Sequence, residues 1–200
     1  LTYNVGVGYA AGLSISTGAY NTLIGGQAGD ALTTGSYNTA LGYNALSTET
    51  GANRSTALGY SALAAQNKGS GDTHNVAIGH GAAQSLTSGT GSTIIGSGAG
   101  SAITTGVNNT AVGYNALRTE DAHGYNVAVG NYTLATQNAG ADAYNTAIGY
   151  YAGYAVTTGV RNTIIGSFAG DAITGGLYNT AVGYNALSTE DGHGLNTAIG

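Results

Sequence analysis

The chain has no cysteine, proline, methionine or tryptophan, a single phenylalanine, and only 13 charged side chains in 200 residues. Each shortage removes a class of protein. Without cysteine there is no disulfide framework and no thiolate metal site, and the redox compartment is left open. Four Lys/Arg and a formal net charge of −5 give no basic footprint, so no nucleic-acid partner is expected. No apolar run approaches the ~18 residues of a spanning helix, so no membrane insertion is expected within the segment, and no secretory leader is recognisable.

Glycine is abundant, at 36 residues, and 42% of the chain is hydrophobic. Without a pattern, so much glycine and so little charge would signal disorder. Here the apolar residues stand at fixed places. The pentapeptide NTAVG, or a close variant, begins at Asn4, Asn21, Asn38, Ser55, Asn75, Ser92, Asn109, Asn126, Asn145, Asn162, Asn179 and Asn196. The spacing is 17 residues except for one step of 20 (Ser55 to Asn75) and one of 19 (Asn126 to Asn145). So short a period predicts an all-β fold, a parallel β-solenoid (β-roll) of about twelve 17-residue coils, as one repeat array over residues 1–200. Neither end carries a polar cap, so the segment is expected to be a window from a longer fibre.

Numbering each coil from its Asn or Ser shows what each position does. Position 5 is Gly in every copy, and position 4 is always Ile, Leu or Val. Position 2 is Thr or Val and shares a face with position 4; position 3 is mostly Ala, with Leu23, Ile94 and Ile164 as larger variants. A strand apolar on both faces is buried on both. Positions 2 and 4 are therefore expected to line the lumen, with position 3 facing neighbouring chains. On that assignment Ile148→Asp would destabilise the array severely, while Glu190→Ala would be nearly silent.

Position 8 is Ala in all but one of the complete coils, where it is Thr133. A large aliphatic then stands at position 9 or position 12, never at both. Leu46, Leu63, Leu117, Leu134 and Leu187 take position 9, each followed by Glu or Gln at position 12. Elsewhere position 9 is Gly or Ala, and Ile15, Leu32, Leu86, Ile103, Val156 and Ile173 take position 12. One side chain per coil fills one slot, since doubling it would overpack a close-packed interior. The offset of three predicts different backbone paths in the two coil types. All 13 charged residues fall at position 10 or later, and both long coils carry their extra residues there, so positions 10–17 are read as the outside. Coil types recur with a super-period of 70–71 residues, as from Asn21 to Ser92 to Asn162, which points to duplication of a four-coil block.

Seventeen residues accommodate two strands of about five residues and two bends. So thin a column is marginal alone, and the doubly apolar strand offers a remedy in a side-by-side homotrimeric rod of roughly 55 Å. The string S/N-T/V-A-I/L-G-Y-N-A, as at Asn109–Ala116, Ser55–Ala62 and Asn179–Ala186, resembles the head repeats of YadA-type trimeric autotransporter adhesins and the repeats of phage-tail fibres. The resemblance spans essentially the whole chain through an eight-residue motif, with longer outer turns than the family's. It implies a left-handed parallel β-roll trimerised side by side. Such a rod would be extracellular, on a cell or virion surface, serving as shaft or head segment and holding an adhesive surface toward surface glycans or a host-cell receptor.

For chemistry, the strongest pattern is the pair Glu120–Asp121 with His123, repeated as Glu190–Asp191 with His193. Paired carboxyls suit a glycosidase, as in a polysaccharide-degrading tailspike. On extended chain adjacent residues point apart, and these lie in duplicated turns, so they read as solvated. No catalytic residue, cofactor or metal site is expected: Asp-x-His lacks a visible third ligand. Six tyrosines stand at position 6 and six precede position 1. Tyr43, Asn44, Tyr114, Asn115, Tyr184 and Asn185 form the candidate ligand-contact surface, by ring stacking and hydrogen bonding to glycans. A separate alternative is ice binding through the Thr column at position 2. Its interruption by Val5, Val76 and Val127 argues that the column points inward.

Overall fold

The computed structural model describes residues 2–189 and 192–200, and among these there is no helix. Twelve three-residue strands occupy positions 2–4 of successive coils, from Val5–Val7 through Thr110–Val112 to Thr197–Ile199. They pair in chain order as one parallel sheet. The fold is the expected parallel β-solenoid, all-β, of about eleven turns. Register holds across the long coil: Thr56 lies opposite Val76 and Leu58 opposite Ile78. The extra residues are looped into the outer turn, where Ala52–Asn53 pairs with Gly71–Asp72.

Each coil has one strand of three residues on this wall, not two of five, because the chain turns too often. The position-5 glycines have φ between 129° and 141°, a region closed to L side chains. A Cβ on Gly113 would also stand 2.4 Å from the Gly130 carbonyl oxygen, so the column of glycines is a backbone-to-backbone contact. Every non-glycine residue of positive φ lies at position 7, position 9 or the last place of a coil, such as Asn44, Leu46 and Arg54. These columns are corners, and their amides are used. Asn44 N–H donates to the Gly26 carbonyl at 3.0 Å, and Tyr37 N–H to that of Ala19 at 3.0 Å.

The facing of the strand is the reverse of the expectation from sequence. Position 3 fills the lumen: Leu23, Ala40, Ala57, Ala111, Ala147 and Ile164 are fully buried. Position 4 points outward, with Ile148 41% and Leu41 47% exposed. The reason is volume. The lumen already holds the position-8 alanines and one large aliphatic per coil, so position 3 is usually Ala. It grows to Leu23, Ile94 or Ile164 only where position 9 is Gly29, Gly100 or Gly170. A Cβ on Gly29 would stand 2.8 Å from both Leu23 Cδ2 and Leu32 Cδ1. The single-slot reading therefore holds in space.

Two further expectations are corrected. Position 9 has positive φ in both coil types, from Gly29 (55°) to Leu46 (54°), so they share this corner. The position-12 amide also returns to the position-9 carbonyl in both, as in Leu32 to Gly29 and Gln66 to Leu63, each at 3.1 Å. Positions 9 and 12 both reach the lumen across that tight turn. Position 12 is accordingly inside even when polar: Glu49, Gln66, Glu120 and Gln137 are fully buried. Glu190 and Asp191 lie outside the described residues.

The asparagine that opens each repeat marks the period in the sequence, and in the fold its column proves central. From Asn21 to Asn179 the position-1 asparagines are buried, and the column runs the length of the rod with Asn4 and Asn196 half-buried at its ends. Asn162 Nδ2 donates to the Gly176 carbonyl at 2.9 Å, closing its own coil, while its Oδ1 accepts the Asn179 N–H at 2.8 Å. The same pair of bonds recurs at Asn38, to Ala52 O and from Ser55 N. Both ends of the amide are satisfied, as burial requires.

In dilute solution, Ala147→Asp should lower stability by at least ~3 kcal/mol by placing an unpaired charge in the lumen. Ile148→Asp, one residue on and outward, should cost under ~1 kcal/mol. Thermal melting of the two variants checks the facing; equal losses would refute it.

Candidate functional site

The candidate residues fall on two adjoining corner columns. Tyr43, Tyr114 and Tyr184 stand at position 6, exposed; Asn44, Asn115 and Asn185 stand at the left-handed position 7. The structure does not bring the three pairs together, since four coils separate each from the next. Tyr43 stacks on Tyr60 at 5.7 Å between ring centroids, and Tyr60 on His80 at 5.0 Å. Tyr114 meets Tyr132 edge-on at 5.2 Å, and Tyr184 meets Phe168 edge-on at 6.2 Å. Asn44 lines a shallow groove with Ser47, Thr48, Ser61, Gln84 and Ser85.

Sequence reading missed a concentration of rings in the second block. Position 7 carries Tyr132, Tyr151 and Phe168 in three successive coils, where other coils have Ala, Gln, Asn, Ser or Gly. Tyr151 contacts Tyr132 at 5.0 Å, Tyr150 at 4.6 Å and Tyr154 at 4.8 Å. Removal from water, followed by the neighbouring phenols, pushes the Tyr151 hydroxyl above the usual tyrosine range. The signal was present in the sequence as a departure from the repeat. The residues before position 1 form a third column, with Tyr3, Tyr20 and Tyr37 stacked at 5.3 and 5.1 Å. Arg161 lies over the rings of Tyr144 and Tyr178 at 5.8 and 5.4 Å.

The acidic turn differs from its expected form. Asp121 is exposed, but Glu120 is fully buried. Glu120 Oε1 accepts the N–H groups of Asp121 and His123 and contacts His123 Nδ1, each at 3.2 Å. Its Oε2 is buried with no partner. The matching Glu49 is better served. Its Oε1 accepts three backbone N–H groups, of Thr50, Gly51 and Ala52, and its Oε2 accepts Gln66 Nε2 and Lys68 N–H. Burial holds the Glu120 carboxyl above its usual range, against the lowering effect of the His123 contacts. A side chain so enclosed cannot reach a substrate; its role is to close the turn. Among the described residues, no cluster of three or more His, Asp or Glu could hold a metal ion.

Because the folded-state pKa of Glu120 is raised, the protonated carboxyl is favoured by folding. Its contribution is fully present below the ordinary glutamate pKa and is lost as pH rises through the folded value. Gln occupies this position in the next coil, where Gln137 Nε2 donates to Asn126 Oδ1 at 3.1 Å. Glu120→Gln should therefore raise the melting midpoint at pH 7 by a few degrees, with little change near pH 4. A lower midpoint at pH 7 would count against the assignment. In comparisons with known proteins, no family model, no curated protein and no solved structure matches this chain.

Proposed function

We propose that the chain is a non-enzymatic structural segment of an extracellular fibre, a rigid spacer whose rods associate side by side as homotrimers. The observation that carries this reading is the outer face of the twelve-stranded sheet. Position 4 presents an unbroken ladder of Ile, Leu and Val, including Ile24, Leu41, Ile78, Ile148 and Ile165, each at least 36% exposed. Beside it runs the Thr/Val ladder of position 2, and positions 1–9 bear no Asp, Glu, Lys or Arg in any coil. A continuous apolar strip of this length on a lone rod is an interaction surface.

A second copy of the chain fits that strip best. Every coil presents Thr or Val at position 2 and Ile, Leu or Val at position 4 in the same register, so two such ladders match each other rung by rung, and the absence of charge disfavours a charged partner. The contact surface is thus positions 2 and 4, with position 3 committed to the lumen. Three copies, and a place on a cell or virion surface, follow the resemblance of the repeat to trimeric adhesin heads and tail fibres. Sedimentation equilibrium should return three times the chain mass. Ile78→Asp/Ile148→Asp should return the single-chain mass with the circular dichroism spectrum of the parent; a monomeric parent would overturn the reading.

One observation favours a second reading. The Thr column, expected to point inward, lies on the outward face, and the in-register pairing of the strands keeps it in one row broken only by Val5, Val76 and Val127. Such a row could order water, as an ice-binding face does. Thermal hysteresis at micromolar protein, abolished by Thr110→Tyr, would establish that activity; its absence would exclude it.

A further inference from the structure

The duplication of the four-coil block provides two copies of one corner, and the copies differ. In the first block, Asn44, Ser47, Thr48, Ser61, Gln84 and Ser85 line an open groove of about 490 Å³ across three coils. In the second block the residues matching Ser61 and Gln84 are Tyr132 and Tyr154. Their ring centroids are 6.3 Å apart, and Tyr151 packs against both, at 5.0 and 4.8 Å. Aromatic side chains thus occupy in one block the place that is an open groove in the other.

The open copy has a definite chemistry. Its side chains are amides and hydroxyls, its floor is Ala64 and Ala65, and no charged residue lines it. Part of its hydrogen-bonding capacity is committed, since the Ser47 and Thr48 hydroxyls donate to the Ala64 carbonyl at 3.3 and 2.8 Å. The rest is open to a ligand. Gln84 is exposed and, like Ser85, makes no side-chain hydrogen bond within the chain, while Asn44 reaches Ser61 Oγ only at 3.5 Å. Beside it runs the position-6 column, in which Tyr43 and Tyr60 immediately precede Asn44 and Ser61. That adjoining columns touch is clear from the second block, where Tyr150 meets Tyr151 at 4.6 Å and Tyr114 meets Tyr132 at 5.2 Å. Because Tyr60 is stacked on both faces, by Tyr43 and His80, that adjoining column offers ring edges and phenolic hydroxyls.

We infer that this groove binds a neutral carbohydrate chain. A ligand dense in hydroxyls and free of charge pairs with amides, hydroxyls and phenols, and its apolar ring faces suit the alanine floor. Ionic ligands find no counter-charge there, and an apolar ligand would leave the amides unpaired. The site is independent of the proposed self-association, since none of its residues belongs to the two outward ladders of the sheet. Its location in the first block makes binding a property of residues 38–91.

The second block supplies the test, because it shows that the fold accepts tyrosine at both places. The intact chain is run through native gels containing soluble mannan, dextran or laminarin, with heparin as the charged comparison. The parent should be retarded by at least one neutral polysaccharide and more weakly by heparin. Ser61→Tyr/Gln84→Tyr should reduce that retardation at least tenfold, with an unchanged melting midpoint. If the double variant melts early, Gln84→Ala/Ser85→Ala, which removes hydrogen-bonding groups without filling the groove, gives the same readout. Three outcomes overturn the inference: no retardation of the parent by any of the neutral polymers, stronger retardation by heparin, or retardation that survives the variants. The last would move binding to the tyrosine cluster of the second block. The oligomeric state, measured in parallel, separates failure of this site from failure of self-association.

Discussion

The solenoid depends on a buried amide in almost every coil. A strand of three residues gives each coil few ladder hydrogen bonds, and the corner amides add only one more each. The position-1 asparagine makes up the difference. Its Nδ2 reaches across to the carbonyl fourteen residues later, and its Oδ1 receives the N–H of the next coil's first residue. The same side chain therefore closes one coil and sets the height of the next. Aspartate would lack the donor, and leucine would leave a carbonyl and an N–H unpaired inside the column, at ~1–3 kcal/mol each.

Given those latches, the lumen is a problem of constant volume. Ala at positions 3 and 8 leaves room for one large aliphatic, and where position 3 enlarges, position 9 contracts to glycine. The corners add a conformational cost. Three columns hold left-handed backbone, occupied at many coils by Leu, Tyr or Arg, which disfavour it by about 1 kcal/mol each. The hydrogen bonds those corners make to neighbouring coils, and the leucine buried from position 9, offset that cost. The arrangement is cooperative only between neighbours, since every coil touches the one before and the one after.

The period, the coil boundaries, the glycine column and the single-slot rule were legible in the sequence because each is an invariance or an exclusion. Strand facing was not. Thr, Val, Ile and Ala are all compatible with either side of a sheet, and the invariant aliphatic of position 4 looked more like core than alanine does. The deciding fact is how little room the lumen has, which depends on positions 8, 9 and 12 together. Burial of Glu49 and Glu120 was hidden for a related reason. A glutamate in a turn reads as solvated, and only the turn's own geometry shows three N–H groups converging on one Glu49 oxygen. Of the candidate surface, Asn44 and Tyr43 are singled out by their place in the repeat, whereas Tyr132, Tyr151 and Tyr154 are visible only as departures from it.

Serine replaces asparagine on two rungs of the ladder, and the two are not equivalent. At Ser55 the missing reach is made good: its hydroxyl contacts Thr73 Oγ1 at 2.6 Å and accepts Gln66 Nε2 at 2.7 Å. At Ser92 the hydroxyl accepts the Asn109 N–H at 3.2 Å, but no side chain spans the mouth of that coil as asparagine does in most others and Gln137 does in the coil of Asn126. A rod loaded along its axis behaves as links in series, and it yields at the weakest. The coil of residues 92–108 is that link, so stretching would open this chain near its middle while the latched coils on either side stayed wound.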